Sequence, residues 1–157
     1  MINYEIVKMS EVHVFEIAEL EKISFSTPWT EQGLEEEIEN FFSRFFVAQN
    51  NGEVLGYIGA HNVLGEVYIT NIAIFPEFKR QGIGKKLIET LLNSVKEENA
   101  EFVTLEVRKS NEPAIGLYKK MGFKVVGERK DFYEKPKENA LLMTYYLNEV
   151  NNEDIRN

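Results

Sequence analysis

Apolar and polar positions recur with two different periods along the chain, and the change of period separates strands from helices. Alternation at every second residue, or a short apolar run bounded by turn residues, predicts seven strands, YEIVKM, RFFVAQN, EVLGYIGAHNV, EVYITNIAIF, FVTLEV, FKVVGER and ALLMTYYL. Spacing of three and four residues predicts four helices, EVHVFEIAELEKISF, TEQGLEEEIENF, the stretch from Ile83 to Val95, and EPAIGLYKKMG. The order of strand, two helices, three strands, helix, strand, helix and two strands predicts a mixed α/β sheet with helices on both faces.

Short turn signals separate these elements. Asn51-Gly52 lies between the second and third predicted strands, and both central residues of the tight hairpin turn expected there need a positive φ. Leu64-Gly65 marks the next turn, and Gly122 ends the last helix. Thr30 suits the N-cap of the second helix, with Glu31 at its positive end.

The third strand of this meander, EVYITNIAIF, changes phase in its middle. Val67 and Ile69 share one face, whereas Ile72 and Ile74 have the opposite parity. One extra residue, a β-bulge near Thr70 or Asn71, accounts for the change. A bulge splays the strand from its neighbour, so that backbone N–H and C=O groups become free to pair with an extended ligand that contains amides.

Two glycines and four basic side chains mark the start of the longest predicted helix, in the stretch FPEFKRQGIGKKL. Gly82 and Gly84 lack Cβ, so the backbone can turn tightly and approach a ligand closely. The helix start adds unpaired N–H groups and about half a positive charge. The basic side chains are Lys79, Arg80, Lys85 and Lys86. This pattern predicts a cradle for a pyrophosphate, with a helix cap flanked by solvated lysines as the alternative.

Two common phosphate motifs do not fit this stretch. Lys86 stands where a P-loop has Ser or Thr, and Leu87 occupies the third glycine position of a dinucleotide-binding fingerprint. The pantetheine arm of coenzyme A is instead an extended, amide-containing ligand that ends in a pyrophosphate. It suits both the bulged strand and the glycine turn.

The composition restricts the class of protein. The 157 residues carry 18 basic and 26 acidic side chains, a formal net charge of -8, which argues against direct nucleic-acid binding. An acidic protein suits cationic partners such as amines or basic peptides; solubility alone is the alternative explanation. The length predicts one domain over residues 1–147, followed by a polar, mobile tail over residues 148–157.

Residue content also excludes some kinds of site. Without cysteine, the chain has no disulfide, thiolate-metal site or cysteine nucleophile. His13 and His61 show no ligand spacing, so we expect no metal. Charged residues interrupt the apolar N-terminus, unlike a signal peptide, and no apolar run approaches the ~18 residues of a membrane span. We expect a cytoplasmic protein without a membrane partner.

The segments ITNIAIFPEFKRQGIGKKLI and LEVRKSNEPAIGLYKKMGF resemble the GCN5-related N-acetyltransferases. That family shows the pattern [QR]-x-x-G-x-[GA], from which Lys79 departs at the first position. Together with FSTPWT and KDFYEKPKENALLM, the chain up to its tail is similar to a branch that acetylates the N-terminal alanine of a small-subunit ribosomal protein. The branch commonly carries Arg-x-Tyr-Tyr where this chain has Lys130-Asp131-Phe132-Tyr133.

The resemblance implies a fold and a co-substrate. The fold is the acyl-CoA N-acyltransferase fold, a mixed and mostly antiparallel sheet of about seven strands with a splayed centre and about four helices. The co-substrate is acetyl-CoA, without a metal. The implied partner is the N-terminus of a protein such as a ribosomal protein, bound by a monomer or weak dimer. The implied cofactor-binding residues are Ile72, Ala73, Ile74, Arg80, Gln81, Gly82, Ile83, Gly84, Lys85 and Asn111.

Acetyl transfer requires that the amine lose a proton, that the oxyanion find donors, and that the departing thiolate gain a proton. Glu106 lies on the face of its strand opposite Leu105 and Val107, where a solvated or salt-bridged glutamate is the alternative. The resemblance makes Glu106 the proton acceptor. Tyr118 shares a helix face with Leu117 and Met121, which is typical of a packed core aromatic. The resemblance makes Tyr118 the proton donor.

We therefore predict an N-alpha-acetyltransferase that transfers the acetyl group directly, with Phe25, Trp29 and Tyr133 lining the slot for the peptide N-terminus. Aromatic core residues are the alternative for that trio. Two other functions stay open. One is the same fold acetylating a small amine such as a polyamine or aminoglycoside. The other is a non-catalytic acyl-CoA-binding module in which Glu106 and Tyr118 are structural.

Overall fold

The computed structural model describes residues 2–147, so the predicted tail, residues 148–157, lies outside the described part. Seven strands form one sheet in the order β1-β2-β3-β4-β5-β7-β6. Every neighbouring pair is antiparallel except β4 with β5, which is parallel. The strands are β1 Glu5–Lys8, β2 Ser43–Asn50, β3 Glu53–Val63, β4 Glu66–Ile74, β5 Phe102–Arg108, β6 Lys124–Glu134 and β7 Lys137–Tyr146. This confirms the predicted mixed, mostly antiparallel sheet.

In the described part of the chain, four α-helices cover the two faces of the sheet. They are α1 Val14–Ser24, α2 Glu31–Glu39, α3 Ile83–Glu97 and α4 Glu112–Met121, with short 3-10 turns at Glu11–His13 and Pro76–Phe78. On β2, Phe45 and Val47 belong to the core under α1 and α2, while Phe46 and Ala48 belong to the core under α3. All four are buried, which explains why the centre of β2 is a continuous apolar run.

The predicted turn and cap signals are confirmed. Asn51 and Gly52 have φ angles of 49° and 83°, and Leu64 and Gly65 have 54° and 88°. The Gly33 amide donates to Thr30 Oγ1 at 3.0 Å at the start of α2. These features depend on a few adjacent residues, so local chemistry suffices to predict them.

The predicted β-bulge lies at Thr70. Gly59 pairs with Asn71, whereas the next residue of β3, Ala60, pairs with Ile69, so Thr70 is the extra residue of β4. The Thr70 hydroxyl donates to the carbonyl of Gly59 at 3.1 Å. Beyond the bulge, β4 and β5 part: they pair only from Glu66–Phe102 to Tyr68–Thr104. The centre of the sheet is splayed, as predicted.

The last hairpin is longer than the sequence pattern indicates. β6 continues to Glu134 and β7 starts at Lys137, with Lys135 and Pro136 between them. The stretch KDFYE was not predicted as strand. β6 is at the edge of the sheet and most of its residues are exposed, so no alternation of buried and exposed positions marks its second half. Within residues 2–147, no helix combines the length and the apolar character that crossing a bilayer requires.

Candidate functional site

A cavity of about 650 Å³ opens between the splayed end of β4, the start of α3, the start of α4 and the end of α1. Ile23 continues the apolar spacing of α1 but is 62% exposed, because it lies at this cavity rather than in the core. Most of the predicted cofactor-binding residues line the cavity, together with the predicted proton donor and one predicted slot residue. They are Ile72, Ala73, Ile74, Arg80, Gly82, Ile83, Gly84, Lys85, Asn111, Tyr118 and Phe25.

Four predicted residues are not part of this lining: Gln81, Trp29, Tyr133 and the predicted proton acceptor, Glu106. Gln81 lies in the same turn, between Arg80 and Gly82. Trp29 packs edge-on against Phe45, with ring centroids 6.1 Å apart, and contributes to the core beneath α1 and α2. Tyr133 is on β6, where the guanidinium of Arg108 lies 4.3 Å from the centre of its ring. The structure therefore brings Phe25 to the cavity but places Trp29 behind it.

The start of α3 presents backbone donors. The Lys86 amide bonds to the Gly82 carbonyl at 3.1 Å, so the amides of Ile83, Gly84 and Lys85 come before any acceptor within the helix. Gly82, the N-cap residue, has a φ of 78° and offers no side-chain cap. Of the four α-helices in residues 2–147, α3 alone lacks an acidic residue in its first turn. Basic side chains surround these donors, and a diphosphate fits them.

The exposed edge of β4 presents backbone groups to the same cavity. The Phe75 amide donates to the Leu55 carbonyl at 2.9 Å, and Ile74 is opposite Gly56 in register. Because backbone groups alternate along a strand, those of Ile74 and Ile72 point away from β3. Within the described residues no strand pairs with that edge of β4 beyond Tyr68. An extended amide ligand can therefore pair there.

Glu106 lies at the point where β4 and β5 part. Its register is two residues beyond Thr104, the last residue of β5 that pairs with β4. The Tyr68 hydroxyl donates to Glu106 Oε2, and Arg129 Nε lies 3.3 Å from Glu106 Oε1. The side chain of Glu106 is 5% exposed. Burial and the neighbouring Glu106 carboxylate raise the pKa of Tyr68 above its ordinary value, so Tyr68 is a protonated donor to Glu106.

Tyr118 lines the cavity and lies on the face of the sheet opposite to Glu106. It belongs to the core under α3, with Leu105 and Val107, whose side chains point opposite to that of Glu106. Its ring packs against Phe123, with centroids 5.7 Å apart. Burial first, and then Tyr133, raise the pKa of Tyr118 to about 12. The hydroxyl is therefore protonated at neutral pH and able to donate.

Asn111 caps a helix and also lies at the cavity. Its side chain accepts from the Ala114 amide at 3.3 Å, which caps α4, and the residue also lines the cavity. The residues that sequence reasoning missed are Tyr68 and Arg129, the two partners of Glu106. Neither carries a sequence signal, because strands β4, β5 and β6 are far apart in the chain.

The two histidines bond to other side chains. His13 Nε2 lies 2.7 Å from Gln49 Oε1, and His61 Nε2 lies 2.7 Å from Glu37 Oε2. Across residues 2–147, no three or more His, Cys, Asp or Glu side chains are grouped so that they could hold a metal ion.

Comparison with known proteins identifies relatives over most of the chain. The sequence profile of the Acetyltransferase (GNAT) family matches residues 14–123. The chain is 41% identical over 138 residues to a Bacillus subtilis (strain 168) protein provisionally named a [ribosomal protein bS18]-alanine N-acetyltransferase, covering 87% of this chain and 89% of that one. It is 40% identical over 121 residues to an N-alpha-acetyltransferase of Sulfurisphaera tokodaii, covering 69% and 72% of the two chains.

A solved structure shows the same architecture. The crystal structure of the ribosomal-protein-S18-alanine N-acetyltransferase from Escherichia coli superposes with a TM-score of 0.84 at 26% identity. The match covers 92% of this chain and 94% of the other.

Proposed function

The chain belongs to the acetyltransferase (GNAT) family, whose acetyl donor is acetyl-CoA, and we propose that it acetylates the N-terminal alanine of a ribosomal protein. The observation that carries this proposal is the position of Glu106. Its carboxylate lies where β4 and β5 part, at the end of the exposed backbone of β4. Names of relatives support the same acceptor, since the Bacillus subtilis and Escherichia coli proteins are both called bS18-alanine acetyltransferases.

The donor side of the proposed site is made mainly of backbone groups. The amides of Ile83, Gly84 and Lys85 would bind the diphosphate of acetyl-CoA, supported by nearby basic side chains. The outward-pointing groups of Ile72 and Ile74 would pair with the pantetheine arm. Because backbone groups do this binding, the departure of Lys79 from the family pattern changes little.

The proposed chemistry is direct transfer. The amine nitrogen attacks the thioester carbonyl, the new C–N bond forms and the C–S bond breaks. Glu106 would take the proton from the amine, through water, and Tyr118 would give its proton to the thiolate. An N-terminal amine has a pKa of about 7.7–8.0 and a thiol about 8.5, so a phenol with a pKa of about 12 is a weaker acid than the thiol. On these values the transfer from Tyr118 to the thiolate is uphill, and the step is completed when the tyrosinate regains a proton from solvent.

The N-terminal segment that leads to Phe25 and Trp29 and continues through α2 is acidic. Residues 5–39, which include α1 and α2, carry ten glutamates and two lysines, an imbalance equal to the net charge of the whole chain, -8. This charge favours a basic peptide. Phe25 would contact the first residue of that peptide, Tyr133 would approach it from β6, and Trp29 would support the loop from behind. A ribosomal substrate would place the protein in the cytoplasm.

The experiment that tests this function compares acceptors at one acetyl-CoA concentration. Thiol release is measured with an Ala-starting peptide that is basic further along, with the same peptide blocked at its N-terminus, and with a panel of polyamines and aminoglycosides. We expect turnover with the free peptide and none with the blocked one. Faster turnover of a small amine would replace the proposed substrate class, and acetyl-CoA binding without turnover of any acceptor would indicate a non-catalytic module.

A further inference from the structure

Glu21 is a carboxylate inside the apolar face of α1. It follows Ile17 by four residues and Val14 by seven, so it shares their buried stripe, and it is 0% exposed. An ionisable group at such a position is costly unless hydrogen bonds compensate for the lost water. A well-packed apolar residue of similar size is often as stable or more stable there. Packing alone therefore gives no reason for a glutamate at this position.

The hydrogen bonds of Glu21 are concentrated on one oxygen. Oε1 accepts from the Tyr57 hydroxyl on β3 and from the Asn71 side-chain amide on β4. The Trp29 backbone amide lies close enough to favour the charged form. Oε2 is buried and has no partner within hydrogen-bond geometry among the described residues. Burial outweighs these contacts and raises the pKa of Glu21 above its ordinary value.

These contacts join the two walls of the cavity. Glu21 lies in the last turn of α1, where its carbonyl accepts from the Phe25 amide at 2.9 Å, and Phe25 lines the cavity. Asn71 directly follows the bulged residue Thr70 and directly precedes Ile72. The contact between Glu21 and Asn71 therefore spans from the end of α1 to the irregular part of β4.

The contact between Glu21 and Asn71 supports β4 at its bulge. A bulge interrupts the regular ladder, and within residues 2–147 no strand pairs with this part of β4 on its β5 side. The Thr70 hydroxyl anchors the bulge to β3, and the Asn71 side chain anchors it to α1. The ladder with β3 resumes at Asn71, opposite Gly59, and continues to Ile74, so the Asn71 side chain adds a link to α1 at the point where regular pairing restarts.

We infer that Glu21 is a positioning residue for acetyl transfer: by holding Asn71, it sets the exposed backbone of Ile72 and Ile74 relative to the end of α1 at Phe25. This inference rests on the proposed use of that backbone to bind acetyl-CoA. It does not depend on which amine is acetylated. Glu21 touches neither substrate, and its effect passes through Asn71.

Two substitutions form a matched pair for the test. Asn71→Ala and Tyr57→Phe each remove one donor to the same oxygen of Glu21, but only Asn71 adjoins the bulge. The dissociation constant of acetyl-CoA is measured by calorimetry and Tm by thermal unfolding. We expect Asn71→Ala to weaken acetyl-CoA binding about tenfold and to lower kcat, since small misplacements of a bound reactant are costly. Tyr57→Phe should lower Tm and change acetyl-CoA affinity by less than about twofold.

A double-mutant cycle tests whether the effect passes through Glu21. In a Glu21→Met background, which offers no acceptor, Asn71→Ala should have no further effect on acetyl-CoA affinity. Glu21→Gln keeps an acceptor oxygen and should retain the affinity, which serves as the test if the Met variant does not fold. Equal losses of affinity in Asn71→Ala and Tyr57→Phe, or an undiminished effect of Asn71→Ala in the Met background, would overturn the inference. Because binding is measured separately from turnover, a wrong acceptor assignment leaves this result intact.

Discussion

The Tyr68 hydroxyl donates to Glu106 Oε2. Tyr68 and Thr104 are the last residues at which β4 and β5 pair, and Glu106 lies two residues beyond Thr104. Arg129 approaches the other oxygen, with Nε 3.3 Å from Oε1. Each oxygen of the Glu106 carboxylate therefore has a side-chain partner, at the place where β4 and β5 separate. An oriented, nearly buried carboxylate at the opening between two strands is a typical candidate for proton transfer.

Glu106→Gln should separate chemistry from binding. The amide keeps the size of the side chain and an acceptor for Tyr68, but it cannot take a proton. We expect kcat to fall about 100-fold or more, with the dissociation constant of acetyl-CoA unchanged within about twofold. Steady-state kinetics and calorimetry measure the two quantities.

The control for that substitution is Glu98→Gln. Glu98 also pairs with an arginine, Arg44, at 2.6 Å, but it is at the far end of α3. Loss of the ion pair between Glu98 and Arg44 should lower Tm slightly and leave kcat unchanged. If Glu106→Gln is as active as Glu98→Gln, Glu106 is not the proton acceptor.

Alkaline pH should destabilise the fold through its buried tyrosines. The pKa values of Tyr118 and Tyr133 are raised to about 12, mainly by burial, whereas an exposed tyrosine has a pKa of about 10. Between these values the folded state keeps protons that the unfolded state has lost, so stability falls as pH rises. We expect Tm to be level below pH 10 and to decline from about pH 10 to 12.

Tyr118→Phe tests the assignment of that decline. The variant lacks one of the groups that titrate, so its Tm should fall less steeply over the same pH range. A variant with the wild-type slope would show that Tyr118 does not contribute to the alkaline transition.

Gly82→Ala and Gly52→Ala should affect stability alike and ligand binding differently. Both glycines have a positive φ, 78° and 83°, and an added Cβ meets no atom within 4 Å at either position. Each substitution should therefore cost about 1 kcal/mol of backbone strain. Only Gly82 lies at the start of α3, so only Gly82→Ala should weaken acetyl-CoA binding in a titration. Equal affinities in the two variants would contradict the proposed diphosphate site.

Thr30→Ala and Asn111→Ala compare two N-caps, of which only one lines the cavity. Thr30 Oγ1 caps α2 at 3.0 Å and Asn111 Oδ1 caps α4 at 3.3 Å. Each loss should reduce the free energy of unfolding by about 1 kcal/mol, measured by denaturant titration. Asn111→Ala should also raise the dissociation constant of acetyl-CoA. If both variants bind acetyl-CoA like the wild type, Asn111 is a cap alone.

Features that depend on neighbouring residues were predictable. The turn at Asn51-Gly52, the cap at Thr30, the bulge at Thr70 and the glycine turn before α3 each follow from a short stretch of chain, because backbone conformation and period are local properties. The second half of β6 was not predicted, because an exposed edge strand has no buried face and its sequence therefore shows no period of two.

The sequence by itself thus determined the order of the elements, the ends of most of them and the place where the sheet opens. Only the tertiary structure decided which side chains meet there. Tyr68 and Glu106 are 38 residues apart in the chain, and Glu21 and Asn71 are 50 apart. Such contacts follow from which strands pair and which helix covers them, an outcome set by burial over the whole domain rather than by the conformational preferences of any one segment.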